Sequence, residues 1–281
     1  MTFVSAASSG GQNSAITVSS VDAGMGDNRR MFIVIAGHDG TEAELAVSSI
    51  TYDTLSIGSG ITLLESIAST EADAYQRMYV YSILDADLPT GGTGYDVDAT
   101  MAGWNNGNNC TVLMYNDFPQ TAPQDTDETS NAGGTPATTN VSPVAAVDSS
   151  IQIAAALIWN ETGGWTSATS RSQSQYAPGA ANLDVGDETV DTGSNTSTYT
   201  SDDYTALAVS IGLVFSPLSG GGALYEGTID QSIMTKNTYV KIPDATVTPT
   251  ENTLTVTISA EGSDPGDVVV ADNIGISLTP P

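Results

Sequence analysis

Thirty-three carboxylates are the main chemical resource of this 281-residue chain. They crowd in two places: Asp184, Asp187, Glu188 and Asp191 in DVGDETVD, and Asp125, Asp127 and Glu128 in DTDE. Hard oxygen donors at that density are suited to Ca²⁺. Neither segment has the spacing of an EF-hand loop or a Ca²⁺-binding nonapeptide repeat, so a solvated acidic loop competes with an ordered ion site. Ca²⁺ is thus the one cofactor the residues suggest, and no other is expected. Two carboxylates about 5 to 9.5 Å apart would serve glycoside hydrolysis, but among so many acids some pair meets that spacing by chance.

The other reactive groups are few. His38, the one histidine, stands in GHDGTE after an apolar run. A strand-end loop suits a catalytic group, yet no second histidine is present to build on, and a surface loop histidine is the expectation. No G-x-S-x-G elbow, Walker loop or strand-following G-x-G-x-x-G occurs. The single cysteine, Cys110, allows neither an internal disulfide nor a thiolate zinc site, and is expected buried as a small apolar residue. Trp104 in AGWNNGNN and Trp165 in ETGGWTS read either as platforms for sugar stacking or as plugs of loop ends onto the core. N-x-S/T sequons at Asn109, Asn140, Asn160 and Asn195 are candidate glycosylation sites. These residues lead us to expect a protein that is not an enzyme.

Charge narrows the partners. Six bases against 33 acids give 6 − 33 = −27. Arg29, Arg30, Arg77, Arg171, Lys236 and Lys241 cannot form the basic stripe that a phosphate backbone requires, so no nucleic-acid partner is expected. An anionic membrane would repel the chain, and no run approaches the roughly 18 apolar residues of a spanning helix, so no membrane insertion is expected. The first twenty residues have neither a charged nor an apolar signal region, and no secretory signal is expected. The Debye length falls from about 8 Å at 0.15 M salt to about 3 Å at 1 M, so high salt would relieve the self-repulsion. The composition accordingly suggests a halophilic or marine setting, with a Ca²⁺-loaded or simply acidic surface protein in ordinary medium as the alternative.

These side chains must be carried mainly by strands. Short β-rich runs broken by Gly, Asn, Asp, Ser and Pro extend throughout: MFIVIA at 31–36, RMYVYSIL at 77–84, TVLMY at 111–115, IQIAAALIW at 151–159 and ALAVSIGLVF at 206–215. In 94–100, Tyr95, Val97 and Ala99 share one face while Asp96 and Asp98 take the other, as in a half-solvated antiparallel strand. The continuous apolar runs IQIAAALIW and ALAVSIGLVF read as central strands covered on both faces or nearly so. Together they predict an all-β fold, an antiparallel two-layer β-sandwich. Helix is limited to short turns at 41–47 and 70–74. The polar stretches 120–141 and 162–203 read as long loops. SPLSGGGA at 216–223 marks a boundary, giving a β-sandwich domain over 1–217, a Gly-rich linker over 218–223 and a small C-terminal β module over 224–281.

Taken in order, GDNRRMFIVIAGHDG, VSSITYDTLSIGSGITLLES, QRMYVYSILDADLPTGG, DFPQTAP, SIQIAAALIW and ALAVSIGLVFSP form a recognisable series. With the opening FVSAASSGGQNSAITVSS it resembles a jelly-roll-like β-sandwich domain that recurs in tailed-virus virion proteins and some secreted microbial surface proteins. The pieces that carry the resemblance most are Asn28-Arg29 before an apolar strand, the SITYDTL hairpin, and YSILDADLP before a glycine turn. They keep a fold and carry no chemistry, so no functional residue is transferred. The ending VVVADNIGISLTP looks like the last strands of jelly-roll carbohydrate-binding modules. The resemblance implies a viral structural protein at the virion surface: a capsid decoration, turret or tail-fibre subunit, assembled as a homo-oligomer beside other capsid or tail proteins. The alternative it leaves open is a secreted or virion-displayed extracellular module that binds host surface glycans.

Overall fold

The computed structural model describes residues 1–39, 45–69, 75–90, 94–102, 107–131, 138–159, 163–175, 181–201 and 208–218, and among them the chain forms nineteen strands and no α-helix. The all-β expectation holds. The chain divides into two compact units, Met1–Leu218 and Ser219–Pro281. The C-terminal module at 224–281, the linker from 219 on, and residues 41–44 and 70–74 lie outside the described residues.

The first half builds one sheet. Its strands are β1 (Thr2–Gly11), β2 (Ala15–Asp22), β3 (Arg30–Asp39), β4 (Val47–Tyr52), β5 (Leu55–Ile57), β6 (Gly60–Ala68), β7 (Tyr75–Leu84), β8 (Gly94–Met101) and β9 (Gly107–Asn116). They order as β1-β9-β3-β7-β6-β5-β4-β8-β2, antiparallel except for one parallel contact between β5 and β6. The second half contributes β10 (Asp125–Asn131), β11 (Thr138–Val141), β12 (Val144–Ala145), β13 (Ser150–Trp159), β14 (Gly163–Trp165), β15 (Thr169–Gln175), β16 (Ala181–Val190), β17 (Gly193–Ser194), β18 (Ser197–Ser201) and β19 (Ala208–Phe215). These form a five-stranded sheet β10-β19-β13-β16-β15, a three-stranded sheet β11-β18-β14, and the pair β12-β17.

Period two explains how the layers meet, because alternate residues of a strand face opposite sides. On β3, Met31, Ile33 and Ile35 pack with Ile16 and Val18 of β2, Ile50 and Tyr52 of β4, and Val97 and Ala99 of β8. The nine-stranded sheet therefore curls over itself, and its two edge strands, β1 and β2, lie side by side. The intervening residues, Phe32, Val34 and Ala36, pack against Ile153, Leu157, Val185, Ile211 and Phe215 of the five-stranded sheet. Two sheets meeting face to face make the sandwich. β3 is buried on both faces.

One expectation fails. The stretches 120–141 and 162–203, read as loops, carry β10, β11 and β14 to β18. Their aliphatics are sparse but placed at period two: Leu183 and Val185 face the inter-sheet core, while Asn182, Asp184 and Glu188 point outward under the three-stranded sheet. Gly186 is required by close approach, since a Cβ there would meet the Thr169 carbonyl at 2.8 Å. Strands whose polar side chains are satisfied by neighbouring strands need little apolar content.

An aromatic group fills the end of the inter-sheet core. The Phe32 ring lies 5.1 Å from Phe118, 5.7 Å from Phe215 and 5.9 Å from Tyr115, mostly edge to face. Against it lies Arg30, whose guanidinium carbon is 4.5 Å from the Phe215 centroid. Phe32→Ala is expected to cost about 3–5 kcal/mol, read as a lower denaturation midpoint at unchanged slope.

Candidate functional site

The outward and inward faces of β16 separate the acids of DVGDETVD. Asp184 and Asp187 are both buried, at 0% and 2% exposure. Three residues apart on an unbroken strand, they point to opposite faces. Asp184 accepts hydrogen bonds from Ser170 Oγ at 2.7 Å and Gln173 Nε2 at 2.8 Å. Burial raises its carboxyl above the ordinary value, and those two bonds pull it back. Asp187 faces the inter-sheet core, where Arg171 donates to it through Nε and Nη2, both at 2.8 Å, and Tyr115 Oη donates at 2.7 Å. Burial, then the Asp187 charge, drives the Tyr115 phenol well above its usual value. Glu188 is partly exposed, with Ser197 and Ser167 as donors, and Asp191 is exposed at the end of the strand. The four carboxylates do not converge, and among the described residues no three His, Cys, Asp or Glu side chains group as metal ligands.

The acids of DTDE lie on the edge strand β10. Asp125 Oδ2 accepts from the Val144 backbone N–H at 2.7 Å, and Asp127 Oδ2 from that of Ser142 at 2.6 Å. Gln124 Oε1 takes the Ala146 N–H at 3.1 Å. Asp125 and Asp127, alternate on β10, thus bind alternate amides of the segment linking β11 to β13, and Gln124 before the strand takes the next. On the other face, Thr126 Oγ1 donates to Glu65 Oε2 of β6 at 2.8 Å, joining the rims of the two large sheets.

The remaining candidates fall in varied surroundings. Trp165 is half-buried, its ring 5.1 Å from Tyr199 and packed against Ala156, Ile158 and Ala168. Trp104 and Asn160 lie outside the described residues. Asn140 is exposed on β11, and Asn195 is partly buried, its amide donating to the carbonyls of Asp191 and Gly193. Asn109 must be corrected as a glycosylation candidate: it is fully buried on β9 and accepts a hydrogen bond from Ser174. A glycan there would have to replace the packed contact between β9 and β15. His38 is likewise not a loop residue. It is buried within β3, in register with Gln76 of β7 and Gly107 of β9. Cys110 is fully buried in β9, and burial pushes its thiol up to about 12, so it is inert at neutral pH.

Sequence reasoning counted the arginines as surface charge and read Asn28-Arg29 as a fold-keeping piece, but assigned neither Arg29 nor Arg30 a buried role. Arg29 is 6% exposed, donating to Asp85 Oδ1 at 2.6 Å and the Pro89 carbonyl at 2.8 Å. Arg30 is 1% exposed and donates to the carbonyls of Pro119 and Thr121, both at 2.7 Å. Desolvation lowers its guanidinium to about 10, which leaves it charged at neutral pH. The readable signal was two adjacent arginines directly before an apolar strand in a chain with only six cations. Among the described residues no helix is long and apolar enough to cross a membrane. No protein family, no curated protein and no solved structure matches the chain.

Asp187→Asn is expected to lose about 1–3 kcal/mol, because the buried Tyr115 hydroxyl and the partly exposed Arg171 guanidinium lose a charged acceptor, and chemical denaturation would report it. Glu128 behaves oppositely. Slight burial, then Glu65 and Asp127, raise its carboxyl. The fold therefore disfavours its charged form, so Glu128 lowers stability above its folded pKa, and the loss is recovered on protonation. Glu128→Gln should melt higher than the parent protein at pH 7, with the difference vanishing as the pH falls below the ordinary carboxylate range.

Proposed function

We propose that this chain is an architectural subunit on the outside of a tailed-virus particle in salt-rich medium. It would serve as a capsid decoration, turret or fibre component built as a symmetric homo-oligomer beside other capsid or tail proteins. The observation that carries this reading is the placement of charge. Arg29 and Arg30 are buried, and Arg171 is engaged with Asp187. Arg29 and Arg30 are thereby withdrawn from the exterior, and acids such as Asp96 and Asp98 on β8 face solvent. Such a surface repels other anionic surfaces and is relieved by salt. The sequence resemblance adds the virion setting, and strands buried on both faces suit a body whose task is to persist.

A second reading, a displayed module that binds host glycans, rests on the part of the Trp165 indole that remains exposed. Saturable binding to host-envelope polysaccharide, weakened by Trp165→Ala, would favour it over a purely architectural role.

The architectural reading makes two measurable demands. Mass spectrometry of gradient-purified particles should find the chain at a stoichiometry that fits capsid or tail symmetry; recovery only as free protein would reject it. The oligomer should persist in molar KCl and loosen on dialysis to about 20 mM, where screening reaches much further than at 1 M. Unchanged melting temperature and oligomer size on dialysis would remove the halophilic part.

A further inference from the structure

Between the five-stranded and three-stranded sheets lies a polar group that the architectural reading does not use. Gln152 of β13 stands in a cross-strand row with Glu188 of β16 on one side and Val214 of β19 on the other. All three face away from the inter-sheet core, Gln152 and Glu188 toward Ser197 of β18 and Val214 toward Ala145 of β12. Gln152 is fully buried, and its Nε2 donates to Ser197 Oγ at 2.7 Å. Ser197 in turn donates to Glu188 Oε1. Ser167, in the turn after β14, lies 3.3 Å from the same carboxylate oxygen and 3.4 Å from Ser197 Oγ.

Proton counting shows what the group lacks. The Ser197 proton is committed to Glu188, so Ser197 can only accept from Gln152, and this fixes which end of the amide faces it. Gln152 Oε1 is left buried with no hydrogen-bond partner. Both serine hydroxyls direct their protons at Glu188, so the acceptor capacity that remains is that of the Gln152 carbonyl, the Glu188 carboxylate and the lone pairs of Ser167. Apolar walls stand on either side, Val190, Val214 and Ala145 in one direction and Val141, Ala154 and Ala168 in the other. A buried carbonyl left unpaired there would be costly.

We propose that this group binds one alkali cation, Na⁺ or K⁺, held by Gln152 Oε1, the Glu188 carboxylate and the Ser167 hydroxyl, with water completing the shell on the exposed Ser167 side. The donors are all hard oxygens, which suits an alkali or alkaline-earth ion. A single carboxylate and so few protein ligands fall short of the six to eight oxygens that Ca²⁺ takes. The ion would join β13, β16 and the turn after β14, pinning the small sheet to the large one. This site stands whether or not the chain belongs to a virion.

The test is thermal unfolding of the full chain at one fixed ionic strength, in choline chloride against NaCl and KCl. The parent protein is expected to melt about 5 °C higher with Na⁺ or K⁺ than with choline. Gln152→Leu and Glu188→Gln should abolish most of that difference, while Asp98→Asn, which removes a surface carboxylate on β8, should keep it. If Gln152→Leu does not fold, Ser167→Ala at the exposed side carries the comparison. Crystals grown in RbCl should show an anomalous peak beside Gln152 Oε1. Equal melting of the parent protein in choline and alkali salts would overturn the site in favour of an ordered water. A difference that survives in the Gln152 or Ser167 variant would assign it to surface charge and overturn the site equally.

Discussion

Two adjacent guanidinium groups at the start of β3 set the geometry on which the other layers depend. Arg29 ends the loop before β3 and Arg30 opens the strand, and the two reach different partners. Arg29 gathers the carbonyls of Ala23, Gly24, Leu88 and Pro89 with the Asp85 carboxylate, tying two loops to the strand. Arg30 enters the inter-sheet space and holds the crossover segment through Pro119 and Thr121, fixing where the second half of the chain begins. Burying a charge is tolerable only where its donors are met. Carbonyls that a loop would otherwise offer to water meet them here, so loop conformation and strand position are set together.

The motifs that carry the sequence resemblance acquire a physical meaning at this corner. Asn28 adopts a positive φ of 50°, which turns the chain into β3, and its carbonyl accepts the Phe118 N–H. Tyr52 of SITYDTL donates to the Val21 carbonyl at 3.1 Å, and Asp53, with φ of 53°, makes the turn that follows. Asp85, Leu88 and Pro89 of YSILDADLP are partners of Arg29 itself. Segments distant along the chain are thus pieces of one junction.

Much of the framework was legible in the sequence because apolar runs report burial directly. The runs at 31–36, 77–84, 111–115 and 151–159, most of that at 206–215, and the alternation of Tyr95, Val97 and Ala99 all became strands with the expected faces. β15 and β16 were illegible for the complementary reason. Residue type states a preference for water but not the identity of a partner, and Asp187 is at home in the core only because Tyr115, 72 residues earlier, and Arg171 meet it there. The same limit misplaced His38 and Asn109, polar residues that strand pairing buries beside Gln76 and Ser174. Asp125 and Asp127 looked like ion ligands because nothing local shows that backbone amides at 142 and 144 take up their oxygens.

The division of labour along the chain bears on its synthesis. Every strand from β1 to β9 pairs within residues 2–116, so the curled sheet and the core on its inner side can close before residues 125–215 exist. At about 5–20 residues per second, a ribosome needs several seconds to supply that remainder. Throughout that interval Phe32, Val34, Leu113 and Tyr115 have no opposing sheet. A chain extended only through β9 is thus internally paired yet apolar on one face, a surface left open to other chains until the second half arrives.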